Sequence, residues 1–457
     1  MKSSTIAALA TAPSPAGVAV IRISGPDSLA IAQQVFNSKS SLSEPPRMML
    51  FGSIINPLSK ERIDSGMAVY MPAPKSFTGE DVVELHTHGS PAVIKEILRT
   101  LYFCGATPAQ PGEFSKRAFL NGKIDLAQAE AIAGLINSSS ERSAKRAQEQ
   151  LSGRLSSALD KIGEPLRDLL AEIEASIDFP EEDIAPDKVE QMLESLKKAV
   201  KEISLLISSY QYGHRIRDGL RILLCGRPNV GKSSLMNRLL EKERAIVTPI
   251  SGTTRDLIEE ELSIEGYKVV LCDSAGVRTS DDLVETRGIE LTKERITWAD
   301  LVLCIVNATD TEDDWREILQ ELNIKDRSVW LIVNKIDLHS VEAQSLSSIP
   351  IQKLLPISAL NGSGIALLKE ALVNHIESLM ISQDAGSVVI TEERHRSLLV
   401  NSNEALLSAA KLLETAQPLE LASTDIREAI NGLDEIIGRT YTEDILGRIF
   451  SKFCIGK

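Results

Sequence analysis

The stretch Gly226-Arg227-Pro228-Asn229-Val230-Gly231-Lys232-Ser233-Ser234 has the spacing G-x-x-x-x-G-K-S of a phosphate-cradling P-loop. Its two glycines let backbone N–H groups close around a polyphosphate. Lys232 offers a cation to the β and γ phosphates, and Ser233 offers a hydroxyl to Mg2+. The flanks are the ones this chemistry needs. Arg221 to Cys225 is a short apolar run that reads as a buried strand, and Ser234 to Leu240 reads as a helix with apolar 3/4 spacing. A helix N-terminus then points its positive end at the same anion.

Three further pieces follow in order, each after a predicted strand. Asp273-Ser274-Ala275-Gly276 has the D-x-x-G pattern, with Asp273 reaching Mg2+ through water and the Gly276 N–H sensing the γ-phosphate. Asn334-Lys335-Ile336-Asp337 is N-K-x-D: Asp337 can accept from a guanine N1–H and exocyclic amine, donors that adenine does not offer. Ser358-Ala359 fits the last loop on the guanine side. Between the P-loop and D-x-x-G lies Thr248-Pro249-Ile250-Ser251-Gly252-Thr253-Thr254-Arg255-Asp256, a switch segment in which Thr254 is the expected second Mg2+ ligand. Each piece is a weak signal alone; together, in this order, they specify a GTPase. One part is missing. The place of a water-orienting glutamine after D-x-x-G is taken by Val277, which leaves Arg278, Asp281, Asp282, Glu285 and Arg287 as open candidates.

These pieces need an alternation of strands and helices to hold them. Residues 219–380 supply it, with strands expected at 222–225, 262–264, 269–272, 301–306, 329–333 and 354–357. Residues 1–120 read as a separate α+β domain, with strands at 17–23, 66–71 and 82–85 and helices at 28–35 and 92–102. Residues 124–177, 187–210, 392–413 and 424–440 read as helical, with Tyr212-Gly213-His214 and Asp218-Gly219 ending the helical region before the P-loop strand. Helix on both sides of the α/β unit suggests that this unit is inserted into one helical domain. The expected boundaries are 1–120, 121–218, 219–380 and 381–457.

A chain of 457 residues with 43% hydrophobic and 25% charged residues has the profile of a multidomain soluble protein. No apolar run approaches the roughly 20 residues needed to span a bilayer. Ile6 to Ala12 after Lys2 faintly resembles a leader, but Pro13 and Pro15 break it, and a cytoplasmic location is expected. The five scattered cysteines include no C-x-x-C and read as reduced thiols. The net charge of −14 argues against a broadly basic nucleic-acid surface. Residues 1–120, however, carry 11 Lys+Arg against 9 Asp+Glu, so any RNA contact should use a local patch. His86 and His88 read as a polar strand end rather than metal ligands, because no further His/Cys cluster accompanies them.

Taken whole, the chain resembles the MnmE (TrmE) family of tRNA-modification GTPases. The resemblance rests on GVAVIRISG at 17–25, FTGEDVVEL at 77–85, PGEFSKRAFLNGKIDLAQAEA at 111–131, IDFPEE at 177–182, the GTPase motifs, VETRGIE from 284, and the tail Phe453-Cys454-Ile455-Gly456-Lys457. It implies an N-terminal dimerisation domain of tetrahydrofolate-binding type, a helical domain, and a Ras-like G domain inserted into it. It also implies a homodimer that works with an FAD-dependent partner, MnmG (GidA), in a heterotetramer or larger complex. The implied reaction adds an aminomethyl or carboxymethylaminomethyl group at C5 of the wobble uridine 34 of certain tRNAs, with a methylene-tetrahydrofolate unit as carbon source. GTP hydrolysis on dimerising G domains would drive the cycle, with K+ in place of an arginine finger.

Carried over by resemblance, Asn229, Thr248, Ile250 and Thr253 would cradle K+, Ser233 and Thr254 would hold Mg2+, and Glu285 would orient the attacking water. Arg22, Glu84, Lys123 and Lys457 match the folate-binding set, where a 5-formyl or methylene derivative would sit. The departures are Ser274 for a usual Thr, Val230 where Ala is frequent, and Leu360 for a more polar residue. Cys454 fits a prenylation site poorly and reads either as a catalytic thiol or as a packed tail cysteine. Two rival readings exist: a ribosome-assembly GTPase, which would want an appended RNA-binding module, and a membrane-transport GTPase, which would want a spanning segment.

Overall fold

The segment at Ile6, whose apolar character resembles a leader, is a strand. In the computed structural model, β1 (Ile6–Leu9) pairs antiparallel with β2 (Ala16–Ser24), Ala8 lying opposite Arg22. The structure describes residues 4–178, 186–240, 259–273, 296, 298–322, 328–339, 351–379 and 388–456. It forms two compact units, one of residues 1–133, 150–197 and 404–457, the other of residues 134–149 and 198–403.

In the first unit, β1 and β2 are followed by α1 (Ser28–Val35), β3 (Phe36–Ser38), β4 (Leu50–Ile55), β5 (Arg62–Met71), β6 (Val82–Gly89), α2 (Pro91–Phe103) and β7 (Thr107–Pro108). The sheet order is β3-β4-β5-β6-β2-β1-β7, antiparallel except at β1·β7. The alternation in β2 explains its burial: Ala19, Ile21 and Ile23 point into a core with Ile31, Ile97 and Leu101 of the two helices. Arg22, between them, is left on the opposite face. Strands β1, β3, β4 and β7 fall outside the sequence expectation. They are short or mixed in polarity, and pairing rather than composition makes them strands.

The helical stretch expected at 124–177 divides, after α3 (Glu113–Leu120), into α4 (Leu126–Ile136), α5 (Glu141–Leu151) and α6 (Arg154–Asp178). The breaks are local chemistry. Asp125 and Gln128 cap α4 reciprocally, each accepting the other's backbone N–H at 2.8–2.9 Å, and Ser140 and Ser143 do the same at 3.2 Å at the start of α5. Gly153 turns the chain at φ 82 before α6. Next, α7 (Pro186–Asp218) runs through Tyr212-Gly213-His214, the first expected stop, and ends at the second, Asp218-Gly219, where Gly219 is left-handed at φ 86. Gly213 is there for packing: a Cβ on it would lie 2.1 Å from the Ile390 carbonyl oxygen, so only glycine admits that segment.

The α/β part of the second unit comprises β8 (Leu220–Cys225), α8 (Lys232–Leu240), β9 (Glu259–Ile264), β10 (Tyr267–Asp273), β11 (Leu301–Asn307), α9 (Glu312–Leu322), β12 (Ser328–Asn334), β13 (Lys353–Pro356) and α10 (Ile365–Ser378). Its sheet order is β13-β12-β11-β8-β10-β9, parallel except for β9. Both faces are covered, which is why the strands are apolar throughout. Leu301, Leu303 and Ile305 of β11 enter one core, while Val302, Cys304 and Val306 enter the other.

The chain ends with α11 (Glu393–Glu414), α12 (Leu419–Ile437) and α13 (Glu443–Phe450). Within the first unit α12 packs along α6, with Arg167 bound to Asp434. Gly438, left-handed at φ 79, closes α12 two residues before the expected end.

Candidate functional site

The carboxyl ends of β8, β10, β12 and β13 carry Gly226–Lys232, Asp273, Asn334 and Ser358. These are the ends at which open parallel sheets bind ligands. The P-loop is glycine-dependent at two places. Gly226 (φ 143) would bring a Cβ to 2.2 Å from the Ile305 carbonyl, and Gly231 (φ 99) would bring one to 2.3 Å from the Asn334 side-chain nitrogen. Asn229 is itself left-handed at φ 64, as Asn tolerates. Lys232 is buried and curls back over the loop, its Nζ donating to the Gly226 and Arg227 carbonyls at 2.8 and 3.0 Å. Burial pushes its ammonium below the ordinary value, with Asp273 pulling partly back. The Ser233 hydroxyl donates to Asp273 Oδ2 at 3.3 Å, so a hydroxyl and a carboxylate oxygen converge beside the P-loop. That donor pair suits a hard divalent cation.

The N-K-x-D strand is tied to the P-loop. Asn334, buried, donates from Nδ2 to the Val230 carbonyl at 2.8 Å and accepts the Ala359 N–H at Oδ1 at 3.0 Å. Lys335 (φ 67) reaches across to the Asn229 carbonyl at 2.8 Å. Asp337 accepts from the buried Ser358 hydroxyl at 2.5 Å, which fixes one carboxylate oxygen. Asn229, Val230, Gly231, Lys232, Ser233, Ser234, Asp273, Asn334, Lys335, Asp337, Ser358 and Ala359 therefore sit at one sheet edge. Arg238 on α8 escaped the sequence reading. Its guanidinium caps the carbonyls of Ala359 and Leu360, the Nε bond being 3.1 Å, and a lone arginine in a helix gives no signal of that role. Thr248 to Thr254, Ser274 to Gly276, Glu285 and its rival candidates, and Lys457 lie outside the described residues.

In the first unit, Arg22 and Glu84 are register partners on β2 and β6. They form an ion pair with Nη2 and Nε at 2.8 and 2.9 Å from the same carboxylate oxygen. The Arg22 guanidinium lies 5.2 Å from the Phe77 ring centre and 5.6 Å from that of Phe114. Lys123 reaches the Pro74 carbonyl at 3.1 Å. The polar segments after Phe77 and Pro111 explain each other. Glu80 accepts from Ser24 at 2.8 Å and from Arg117 at 3.1 Å, and Arg117 also binds Glu113 at 2.8 Å. The tail packs onto this sheet: Phe453 is buried with Phe119, Leu446 and Phe450, and a Cβ on Gly456 would sit 1.9 Å from the Leu9 carbonyl oxygen. Cys454 is exposed, its carbonyl accepting the Gly112 N–H at 3.4 Å, which removes the reading of it as a packed cysteine. His88 is held by Asp64 at 2.8 Å, and among the described residues no group of three potential ligands gathers around it.

A P-loop whose serine meets an aspartate on the neighbouring parallel strand, with an N-K-x-D edge bound to it, defines a P-loop GTPase: this chain is a GTP-hydrolysing enzyme. The pattern described as "GTP-binding protein TrmE N-terminus" matches residues 5–123, and that described as "MnmE helical domain" matches residues 126–454. The chain is 42% identical over 455 residues to the tRNA modification GTPase MnmE of Aquifex aeolicus, covering 99% of each chain. It is 40% identical over 465 residues to the protein of that name from Desulforamulus reducens, covering 100% of each. The solved G domain of the T. maritima FeoB iron transporter aligns with 34% of this chain and 98% of its own at 26% identity, with a TM-score of 0.27. The chain belongs to the MnmE family of tRNA modification GTPases.

Proposed function

We propose that the protein is a K+-activated GTPase that acts with an FAD-dependent MnmG (GidA) partner. Together they add the (carboxymethyl)aminomethyl group at C5 of wobble uridine 34 in certain tRNAs. The carbon comes from a methylene-tetrahydrofolate unit bound by the N-terminal domain. Residues 1–120 form the folate-binding and dimerisation domain, 219–380 the G domain, and 121–218 with 381–457 the helical domain; the working form is a cytoplasmic homodimer. Among the described residues no helix is long and apolar enough to cross a membrane.

The observation that carries the GTPase half is the convergence of Ser233 and Asp273 beside a P-loop stitched to the guanine edge by Asn334. Ser233, with Thr254, would hold Mg2+, which supplies charge neutralisation at the β and γ phosphates. Lys232 leaves the Gly226 and Arg227 carbonyls for the phosphates. Asp337, already oriented by Ser358, accepts from the guanine base. Asn229, Thr248, Ile250 and Thr253 would hold K+, a fixed positive charge where an arginine finger would act. Glu285 would orient the attacking water. In the N-terminal domain Glu84 would accept from the pterin's donor edge, while Arg22, Lys123 and Lys457 would meet its carbonyl and carboxylate oxygens.

The test is GTP hydrolysis in K+ against Na+ at matched ionic strength, with Glu285→Ala and Asn229→Ala alongside. Strong K+ activation in the wild type, lost in both variants, is expected. Equal rates in the two salts would reopen the arginine-finger alternative, with Arg278 and Arg287 first in line. Wobble uridines left unmodified in a deletion strain would support the tRNA half. A ribosomal-subunit defect with normal tRNA would favour the assembly reading.

A further inference from the structure

The loop between β5 and β6 gathers positive charge from three distant parts of the chain. Arg47 donates from its guanidinium to the Lys75 carbonyl, and Lys123 donates to the carbonyl of the preceding residue, Pro74, at 3.1 Å. Two cations thus bind carbonyls of consecutive residues, whose Cα atoms are about 3.8 Å apart. Lys75 adds a third positive charge to the same loop. All three residues are exposed, and none forms an ion pair with a carboxylate among the described residues.

The loop is held firmly. The Ala73 N–H donates to Asp81 at 2.8 Å, the Ser76 hydroxyl to the Glu80 carbonyl at 2.5 Å, and the Arg47 N–H to the Tyr70 carbonyl at 2.7 Å. Arg47 keeps a left-handed backbone at φ 66, a conformation that suits Gly or Asn better than Arg. Two residues beyond Lys75, Phe77 is 37% exposed and rests over Arg22 of the Arg22–Glu84 pair. Unpaired cations beside an exposed ring are what single-stranded RNA requires: phosphates meet the cations, and an unstacked base meets the aromatic face. Against a chain of net charge −14, this is the kind of local patch on which a polyanion can dock.

We propose that Arg47 and Lys75, with Phe77, form a contact for a single-stranded RNA loop at the rim of the Arg22–Glu84 site, Lys123 bracing the loop through Pro74 and remaining with the folate set. The cations take successive phosphates and the ring stacks a base. The inference rests on the tRNA reading above and adds to it the surface that presents the loop to the carbon donor. Phosphate contacts position the strand and carry no sequence information, so recognition of the particular uridine lies elsewhere.

The test is the affinity of the full-length protein for a labelled tRNA by fluorescence anisotropy, over about 50 to 200 mM NaCl, the range in which phosphate contacts are most salt-sensitive. Lys75→Glu should weaken binding roughly tenfold and flatten the salt dependence by about 0.7, the slope of one single-strand phosphate contact. Lys75→Arg should stay within about twofold of wild type, since the charge is kept. Phe77→Leu should weaken binding about fivefold or more without changing the slope, because stacking releases no counterions.

Equal binding by wild type and Lys75→Glu at every salt concentration overturns the patch and leaves the tRNA reading standing. Failure of the wild type to bind tRNA at any salt removes that reading and the patch with it. If Lys75→Glu binds tRNA normally but loses affinity for a folate carrying an oligoglutamate chain, the cations serve the small ligand and the RNA assignment is wrong.

Discussion

Replacing Asn334 by alanine should cost this protein its hold on guanine nucleotide without unfolding it. The side chain is 2% exposed and makes two bonds to main-chain groups from different loops, the Val230 carbonyl and the Ala359 N–H. Alanine leaves both partners buried and unsatisfied. At about 1.5 kcal/mol each, within the usual range for an unpaired buried group, the loss is about 3 kcal/mol. One tenfold change in affinity is about 1.4 kcal/mol, so nucleotide binding should weaken roughly 100-fold if the whole loss falls on the pocket. A water entering the vacated space would return part of this, which sets a floor near tenfold.

Asn334→Asp should be at least as damaging. It keeps the acceptor for Ala359 but sets an oxygen against the Val230 carbonyl, where a donor stood. Gly231→Ala supplies the cross-check. Its Cβ would lie 2.3 Å from the Asn334 nitrogen, so its effect should be smaller in the Asn334→Ala background than in wild type, although the strained φ of 99 remains in both. The assay is titration with a fluorescent guanine nucleotide, with denaturant unfolding of each variant to separate lost binding from lost fold. Affinity within twofold of wild type in a folded Asn334→Ala protein would refute the stitch.

Gly456→Ala should lift the tail from β1. The new Cβ would sit 1.9 Å from the Leu9 carbonyl, and φ 96 is closed to alanine. Calorimetric titration should show affinity for a reduced folate falling by about tenfold or more, as expected for a loss above 1.4 kcal/mol, with guanine nucleotide affinity unchanged. Equal folate affinity would detach the tail from that site. Asp64 gives a pH signature. Burial raises its carboxyl, but the Thr87 hydroxyl and the His88 and Ser65 donors outweigh that and hold it at about 2, against an ordinary 3.8. Because the folded value is depressed, its stabilisation is present above the ordinary value and is lost as pH falls through about 2. With screening at a partly exposed group, the contribution is about 1–2 kcal/mol. The gap in urea midpoint between wild type and Asp64→Ala should therefore be constant above about pH 4.5 and shrink as pH approaches 2. A gap that grows with acid would reverse the reasoning.

How much of this could be read in advance depended on whether a residue's partner lies nearby in the sequence. The phosphate cradle was legible because its glycines, lysine and serine act from one short loop whose spacing is set by the ligand. The parallel strands were legible because burial on both faces makes Leu301 to Val306 apolar without interruption. Strand β9 was seen only in part. Glu259, Glu260 and Glu261 lie on an edge strand facing solvent, so charge hid a segment that pairs in register with Cys272, Leu271 and Val270.

The same reasoning accounts for the glycines and polar residues that misled or stayed mute. Gly213 looked like a helix stop because its reason, the Ile390 carbonyl, is 177 residues away. Arg238 and the bonds of Asn334 to Val230 and Ala359 are equally long-range, and a motif that names Asn for guanine selection does not disclose that its first duty is to bind two loops together. That duty explains why Asn334, rather than Asp337, to which base reading is assigned by proposal, is the buried member of the motif. On the proposed assignment of base reading to Asp337, that residue must remain reachable by a base, whereas Asn334 must be sealed for its two main-chain bonds to hold the P-loop and the Ser358–Ala359 loop at one distance. If the P-loop grips phosphate and Asp337 selects the base as proposed, the two are mechanically one element here, and a substitution at Asn334 should damage both together.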